Sequence, residues 1–292
     1  MKQAILITAY NDFDQLIKLI NEFDDYFSIY IHIDKKSEVK KEILQALTEK
    51  KNVKYVGQDF KVNWGGINHL KSYLKLSKIA LNDSENVYFH LITGKDYPVK
   101  SVDYFKMLIN TTGEKNKDYL HYFPMPAACW KNGGMDRLEY YNLYDLFNAK
   151  KSDKWIWRFN RLQAILNFKR QINHYLGKLY GGSTYWSLSR DTLQFVLNFT
   201  KENPRFIKRF KYTFCAEEIY FQTIIMNSKY AKNVVNNNLR FIDWESGKGG
   251  YPAFLDEDDF QIIIKSDKLF ARKINIKENK LVQLLTMHKD NK

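Results

Sequence analysis

The chain has 292 residues, of which 45% are hydrophobic and 16% aromatic, and its formal net charge is +13. This length predicts one large domain or two closely joined lobes. The apolar content excludes a disordered chain, because disorder requires too little apolar surface to offset chain entropy. We therefore expect a single globular domain over residues 1–292.

Two cysteines are too few for a disulfide scaffold, and no CxxC, CxxH or HxxxH spacing offers a zinc site. We expect Cys129 and Cys215 to be buried thiols in a reducing compartment. The first residues suggest a strand rather than a signal peptide, and no uncharged apolar run is long enough to span a membrane. These features predict a cytoplasmic protein.

In chain order, short apolar runs alternate with amphipathic segments through the first half. This alternation predicts βαβ units and a mostly parallel sheet with helices on both faces, an α/β class. The predicted strands are residues 3–9, 28–33, 53–56 and 87–93, and the predicted helices are residues 12–23, 40–50 and 67–81. Parallel sheets bind ligands at the carboxyl ends of their strands, which singles out residues 8–11, 34–37 and 93–96.

The second half is less regular. Residues 181–183 (Gly-Gly-Ser) predict a turn, and residues 184–189 a strand that runs into a helix from Arg190. Further along, residues 217–227 predict a helix and residues 239–244 a strand.

Several common motifs are missing. There is no Walker A loop, no GxGxxG after the first strand, no GxSxG and no HExxH, which excludes P-loop and dinucleotide-binding enzymes of the usual kind. Asp-x-Asp pairs occur at Asp12/Asp14 and Asp256/Asp258, where a helix start and a polar turn account for them. The sequence therefore predicts no metal site.

Two acidic residues follow predicted strands. Asp34 could accept hydrogen bonds from a ribose or base, or it could cap the next helix. Asp96 follows Gly94, which permits close approach of a ligand, although a plain turn explains it equally well.

Two other pairs could carry chemistry. Glu217 and Glu218 precede an apolar helix, where they could be partners of the helix dipole or could remove a proton from an alcohol. Arg272 and Lys273 could bind phosphate oxygens or could be solvated surface charges.

Together, several segments resemble the core-2/I-branching β-1,6-N-acetylglucosaminyltransferase family, which also holds peptide O-xylosyltransferases. The matching segments occur in the family's order, namely residues 31–37 (IHIDKKS), 62–66 (VNWGG), 91–98 (LITGKDYP), 182–190 (GSTYWSLSR), 217–224 (EEIYFQTI), 240–244 (RFIDW) and 266–273 (SDKLFARK).

The resemblance implies a GT-A-like (Rossmann-like) nucleotide-diphospho-sugar transferase fold. Residues 1–110 would be its nucleotide-binding half and residues 111–292 its acceptor-binding and catalytic half. It also implies a bacterial member whose reaction inverts the anomeric centre and needs no metal or other cofactor. The donor would be a UDP-sugar, most simply UDP-GlcNAc, and the acceptor a glycan or lipid-linked glycan. The first alternative is that the same fold transfers xylose or another hexosamine. The second is a non-catalytic basic binding protein.

The resemblance also assigns roles by position. Glu218 would be the catalytic base, and Arg272 and Lys273 would neutralise the diphosphate in place of a metal. The other nucleotide-sugar contacts would be Thr8, Ala9, Asp34 and Trp64, and the sugar or acceptor contacts Asp96, Trp186 and Glu217.

Residues 150–178 carry eight Lys or Arg residues against one acidic residue, with Trp, Phe and Leu interleaved. This pattern suits a helix lying in the interface of an anionic membrane, or a packed helix with a solvated basic face. No recognition motif accompanies the charge, so we do not expect nucleic acid binding. A peripheral contact with the inner face of the cell membrane is the resulting prediction.

Overall fold

A computed structural model describes residues 1–109, 117–172, 174–276 and 280–290. Its strands are β1 Lys2–Ala9, β2 Phe27–Ile33, β3 Val53–Gly57, β4 Asn86–Thr93, β5 Asp96–Pro98, β6 Asp118–Pro124, β7 Tyr180–Ser189, β8 Val234–Val235, β9 Arg240–Ile242 and β10 Phe270–Arg272. Its α-helices are α1 Phe13–Asn21, α2 Lys41–Thr48, α3 Ile67–Leu81, α4 Val102–Ile109, α5 Asp136–Glu139, α6 Ala149–Ile165, α7 Arg190–Glu202, α8 Pro204–Phe210, α9 Tyr220–Met226, α10 Phe260–Lys265 and α11 Lys280–Asp290.

Seven strands form the central sheet, in the order β3-β2-β1-β4-β7-β6-β8. The first four are parallel, β7 is antiparallel to both β4 and β6, and β8 is parallel to β6. Both halves of the chain therefore contribute strands to one sheet. The predicted α/β class is confirmed, and the four strands predicted in the first half are β1 to β4.

The strands of the first half form where they do because β-branched and aromatic residues fill them. Every residue of β2 is buried, as in a strand covered on both faces. Apolar residues on two sides of the sheet form separate clusters, one around α3 and α7 and the other around α1 and α4. The sheet is thus the middle layer of the domain.

A second, smaller sheet has the order β5-β10-β9. Strand β10 is antiparallel to β5, the strand that follows β4 in the chain, and it is parallel to β9. Buried Arg240 in β9 donates to the carbonyl oxygens of Leu91 in β4 and Trp186 in β7, at 2.8 and 3.1 Å. These bonds attach the small sheet to the central one.

The turn predicted at residues 181–183 is wrong, because β7 runs straight through this segment. A Cβ at Gly182 would overlap the backbone carbonyl of His121 in β6, and one at Gly181 would overlap the Trp130 ring. These glycines therefore serve the close approach of a neighbouring strand and a tryptophan rather than a change of direction.

Two smaller predictions also fail. Asp12 stands before α1, but its carboxylate binds Lys95 Nζ at 2.7 Å instead of capping the helix. Cys129 is exposed, although Cys215 is buried as predicted and both thiols are free. Among the described residues, no helix is both long enough and apolar enough to span a membrane.

Candidate active site

The carboxyl ends of β1, β2 and β4 lie side by side. Thr8 is in register with His32 and Thr93. The Gly94 amide donates to the Thr8 carbonyl at 3.1 Å, and the Asp34 amide donates to the Ala9 carbonyl at 2.9 Å. The structure therefore brings together Thr8, Ala9 and Asp34, three of the residues predicted to bind the nucleotide.

Asp34 organises the loops at this edge. Its Oδ1 accepts hydrogen bonds from the backbone amides of Lys36 and Val62, both at 3.0 Å. The alternative that it caps a helix is wrong, because α2 begins only at Lys41. Trp64, two residues after Val62, is 62% exposed, and its ring packs edge-on against Phe214. An aromatic side chain held this way is available to a ligand.

Asp96 is fully buried and holds an arginine in place. Its Oδ2 accepts from the amide and hydroxyl of Thr93, both at 2.7 Å, and from Arg272 Nη1 at 3.0 Å. Arg272 Nη1 also donates to the Thr93 hydroxyl at 2.9 Å. The prediction that Asp96 contacts sugar or acceptor does not fit this burial; Asp96 positions Arg272 at the end of β4.

Lys273, next to this pair, is a less compensated cation. Its Nζ lies 3.3 Å from the Tyr251 carbonyl oxygen and 5.6 Å from the centroid of the Phe254 ring. Within the described ranges it forms no ion pair. Burial, followed by the nearby Arg272 charge, lowers the pKa of Lys273. An anion bound here would relieve the repulsion between the two cations.

Glu218 lies in a short 3₁₀ turn, Ala216–Glu218, between β7 and α3. Its side chain is 27% exposed, with Oε2 2.5 Å from Arg137 Nη1 and Oε1 3.4 Å from the Thr184 hydroxyl. Burial raises the pKa of Glu218, while Arg137 opposes this shift. A carboxylate with a raised pKa and partial exposure is suited to accept a proton.

Sequence reasoning missed Arg137. Its guanidinium lies 3.6 Å from the centroid of the Trp130 ring and reaches Glu218 from a segment 81 residues earlier in the chain. Residues 130–139 form short helical turns with no recognisable motif. Only the folded arrangement shows this partner.

The carboxylate of Glu217 has a different partner from that of Glu218. Its Oε1 is 3.0 Å from His69 Nδ1, and His69 Nε2 is 2.8 Å from the Tyr73 hydroxyl. Glu217 is only 3% exposed. The predicted contact with sugar or acceptor does not fit; Glu217 ties the turn to α3.

Trp186 is fully buried and packs on Phe221 in the core around α3 and α7. The prediction that it contacts sugar or acceptor is therefore inconsistent with the structure. Alternation along β7 turns the neighbouring side chain to the other face.

That neighbour, Tyr185, links the two predicted chemical groups. Its ring centroid lies 4.7 Å from Arg272 Cζ. Burial raises the pKa of Tyr185; Arg272 lowers it, whereas Asp96 and Glu218 add to the increase. Since Thr184 contacts Glu218, successive residues of β7 touch the predicted base and the predicted cation. Glu218 and Arg272 thus lie in one electrostatic neighbourhood.

A model of the core-2/I-branching enzyme family matches residues 4–264. The chain belongs to this family. The match reaches all seven strands of the central sheet.

Curated relatives of this branching-enzyme chain include xylosyltransferase 1 of Mus musculus, 25% identical over 246 residues, which are 82% of this chain and 23% of that protein. Another is a xylosyltransferase of Ciona intestinalis, 23% identical over 239 residues, with coverages of 80% and 26%. The chain thus spans about a quarter of the length of these relatives.

Two solved structures are also similar to the chain. The apo structure of the bifunctional glycosyltransferase WbbM has a TM-score of 0.41 and 9% identity, over 99% of this chain and 51% of that one. Apo mouse xyloside xylosyltransferase 1 has a TM-score of 0.39 and 9% identity, with coverages of 92% and 96%.

Among the residues that the structure describes, no three His, Cys, Asp or Glu side chains group in a way that could hold a metal ion.

We expect Asp96→Asn to destabilise the branching-enzyme chain. Breaking a buried ion pair leaves an uncompensated charge and costs about 3–5 kcal/mol. The measurement is the free energy of unfolding in urea. Asp103→Asn is the matched control, because Asp103 is 84% exposed in its ion pair with Lys106; its cost should stay below about 1 kcal/mol. Equal losses would contradict the positioning role of Asp96.

Proposed function

We propose that the chain transfers N-acetylglucosamine from UDP-GlcNAc, with inversion and without a metal, to a glycan hydroxyl through a β-1,6 linkage. The acceptor would be a glycan or lipid-linked glycan in a bacterial surface polysaccharide or glycoconjugate. One observation carries the proposal: the partly exposed carboxylate of Glu218 lies 3.4 Å from the Thr184 hydroxyl, and the next residue of β7, Tyr185, has its ring centroid 4.7 Å from Arg272 Cζ.

In this reaction Glu218 takes the proton of the acceptor hydroxyl. The hydroxyl oxygen then bonds to the anomeric carbon as the bond from that carbon to the diphosphate oxygen breaks. A single carboxylate suffices because the diphosphate is a good leaving group, unlike the alcohol released in glycoside hydrolysis, which needs a second acid.

The cations stabilise the negative charge that develops on the diphosphate. Asp96 already compensates Arg272 and fixes its position. Lys273 has no such partner among the described residues, so we assign it the larger share of the charge stabilisation. Thr8, Ala9, Asp34 and Trp64, at the same edge of the sheet, would hold the nucleotide.

Xylose transfer is the second candidate, because the curated relatives carry the name xylosyltransferase. Another hexosamine remains a third donor. A screen of UDP-GlcNAc, UDP-xylose and UDP-GalNAc by calorimetry, without added metal, tests the donor directly. Tighter binding of UDP-xylose than of UDP-GlcNAc would overturn the proposed donor while leaving the base assignment intact.

We also propose a cytoplasmic location, with residues 150–178 in contact with the inner face of the membrane. The free, exposed thiol of Cys129 is in keeping with a reducing compartment. The side chains of Lys150, Lys151 and Asp153, and the whole of Asn173, lie outside the described residues.

Glu218→Gln should lower transfer by a factor of about 10²–10⁴, the usual contribution of a general base, while UDP binding is retained. The measurements are product formation with UDP-GlcNAc and calorimetry with UDP. Glu217→Gln is the matched control and should lose far less, because Glu217 is buried against His69. If only the Glu217 variant lost transfer, the base would be Glu217 and the assignment to Glu218 would be wrong.

Arg137→Gln should shift the acidic limb of the transfer rate to higher pH. The base works when deprotonated, so transfer falls as pH drops through the pKa of Glu218. Arg137 lowers that pKa, and its removal therefore raises it. The pH profile of kcat/KM checks this, with Lys131→Gln as the control from the same segment. An unmoved limb in the Arg137 variant would argue against Glu218 as the titrating base.

Lys273→Gln should weaken UDP binding roughly tenfold to hundredfold, since a hydrogen bond from a charged donor is worth about 1.5–3 kcal/mol. EDTA should change neither binding nor transfer in the unaltered protein. Lys268→Gln, a cation shortly before β10, is the control. Loss of UDP binding in EDTA, or unaltered binding by the Lys273 variant, would contradict side-chain neutralisation of the diphosphate.

A further inference from the structure

A basic groove is lined by residues that have no part in the assigned donor site. Its volume is about 730 Å³, and it is bounded by Tyr141, the segment after α6, and α8 with the residues that follow it. Six of its lining side chains are cations: Lys169, Arg170, Arg205, Lys208, Arg209 and Lys211. None of the described carboxylates lines it. We call these surroundings the basic groove.

Two arginines of the basic groove lack an anionic partner. Arg170 donates to the Arg209 carbonyl oxygen at 2.6 Å, and Arg209 donates to the carbonyl oxygens of Gln171 and Leu138, both at 3.0 Å. Within the described residues neither forms an ion pair, and the Nη1 atom of each is buried without a hydrogen-bond partner. Arg209 is only 8% exposed.

Such an arrangement is costly for a protein without a ligand. Burial and then the Arg209 charge lower the pKa of Arg170 to about 10. Buried charges are normally paired, because a charge loses its hydration on burial. Two neighbouring guanidinium groups held by carbonyl oxygens, with the Tyr141 ring 5.0 Å from Arg170 Cζ, therefore favour an anion that the described residues do not supply.

The rim adds exposed positive charge. Arg205 and Lys208 on α8, and Lys211 just after it, are exposed and form no ion pair with any described carboxylate. Lys169 differs, because it binds Glu139 at 2.8 Å. These exposed cations thus lie on one side of Arg170 and Arg209.

Helix α6 runs directly into this groove. The Phe168 amide donates to the Gln163 carbonyl at 2.8 Å, and Gln163 in turn binds the backbone of Tyr141. Large apolar side chains on α6 and just beyond it are more than half exposed: Trp155, Trp157, Leu162, Ile165, Leu166 and Phe168. Arg158 and Arg161 lie over the rings of Trp155 and Trp157.

We propose that the basic groove binds the phosphate group of an anionic membrane lipid while α6 lies in the membrane interface beside it. The lipid phosphate is the anionic partner that Arg170 and Arg209 lack among the described residues. The exposed Trp, Leu and Ile side chains supply the apolar contact, and arginines beside tryptophans suit the boundary between headgroups and acyl chains.

A lipid fits better than other anions. A soluble phosphate would need the arginines but not the exposed apolar residues of α6. A nucleic acid could stack on Tyr141 and Phe168, but it leaves exposed leucine and isoleucine in water. Exposed apolar side chains next to uncompensated cations are characteristic of an anionic membrane interface.

The test is flotation of the full chain with vesicles of phosphatidylcholine alone or mixed with phosphatidylglycerol. We expect binding to the mixed vesicles only. The triple variant Arg205→Gln/Lys208→Gln/Lys211→Gln removes exposed rim cations and leaves Arg170 and Arg209 untouched. Its partition coefficient should fall on the order of 100-fold, since each basic residue near an anionic surface contributes about fivefold.

Two matched controls separate the site from bulk effects. Lys40→Gln/Lys41→Gln/Lys54→Gln removes the same charge from exposed positions outside the groove and should bind almost as the unaltered chain does. Trp155→Gln/Trp157→Gln should weaken binding, whereas Ile262→Gln/Met287→Gln, which removes two exposed apolar side chains elsewhere, should not.

Several results would overturn the proposal. If the groove triple variant and the Lys40/Lys41/Lys54 triple variant lost vesicle binding equally, only net charge would matter. Tight binding of glycerol 1-phosphate without vesicle binding would assign the groove to a soluble phosphate, and binding of single-stranded oligonucleotides in preference to vesicles would assign it to nucleic acid. None of the altered residues belongs to the proposed donor or acceptor machinery, so transfer to a soluble acceptor tests the proposed function separately.

Discussion

The ion pair between Asp96 and Arg272 fixes the geometry on which the candidate active site depends. It joins the start of β5, which follows β4 closely in the chain, to β10, and its two residues are 176 positions apart. A buried pair of this kind contributes little net stability, because desolvation of both charges offsets their attraction. Its effect is positional: it brings the adjacent Lys273 to the edge of the sheet where β1, β2 and β4 end. The residue after Lys273, Ile274, donates its amide to the Lys95 carbonyl oxygen at 3.0 Å, just beyond the end of β4.

Glu218 is subject to two opposing influences. Burial favours its neutral form, and Arg137 favours its charged form. A fully exposed carboxylate would be too weak a base near neutral pH, and a fully buried one could not reach an acceptor. The turn Ala216–Glu218 resolves this by burying Glu217 against His69 while leaving Glu218 partly open. Adjacent carboxylates in one turn therefore have different environments.

The sequence predicts much of the first half correctly, because its strands and helices follow local periodicity. Thr8, Ala9 and Asp34 meet since parallel strands end at one edge. The failures are nonlocal. Trp186 and Asp96 lie in matching motifs, but their burial depends on packing that no motif encodes. Arg137 becomes visible only when residues 130–139 fold against Glu218. The glycines at 181 and 182 look like a turn because their neighbour, β6, is unknown from the sequence.

Arginines serve opposite purposes at the two basic regions of this chain. Arg272 and Arg240 are buried with partners: a carboxylate for the first and several carbonyl and hydroxyl oxygens for the second. Both hold strands in place. Arg170 and Arg209 also donate to carbonyl oxygens, which satisfy hydrogen bonds without cancelling charge. They differ from Arg272 because no described carboxylate pairs with them, and from Arg240 because they line an open groove together with four further cations. Access to a groove and the lack of a carboxylate thus together mark an arginine that can attract an anion, and total charge alone cannot make that distinction.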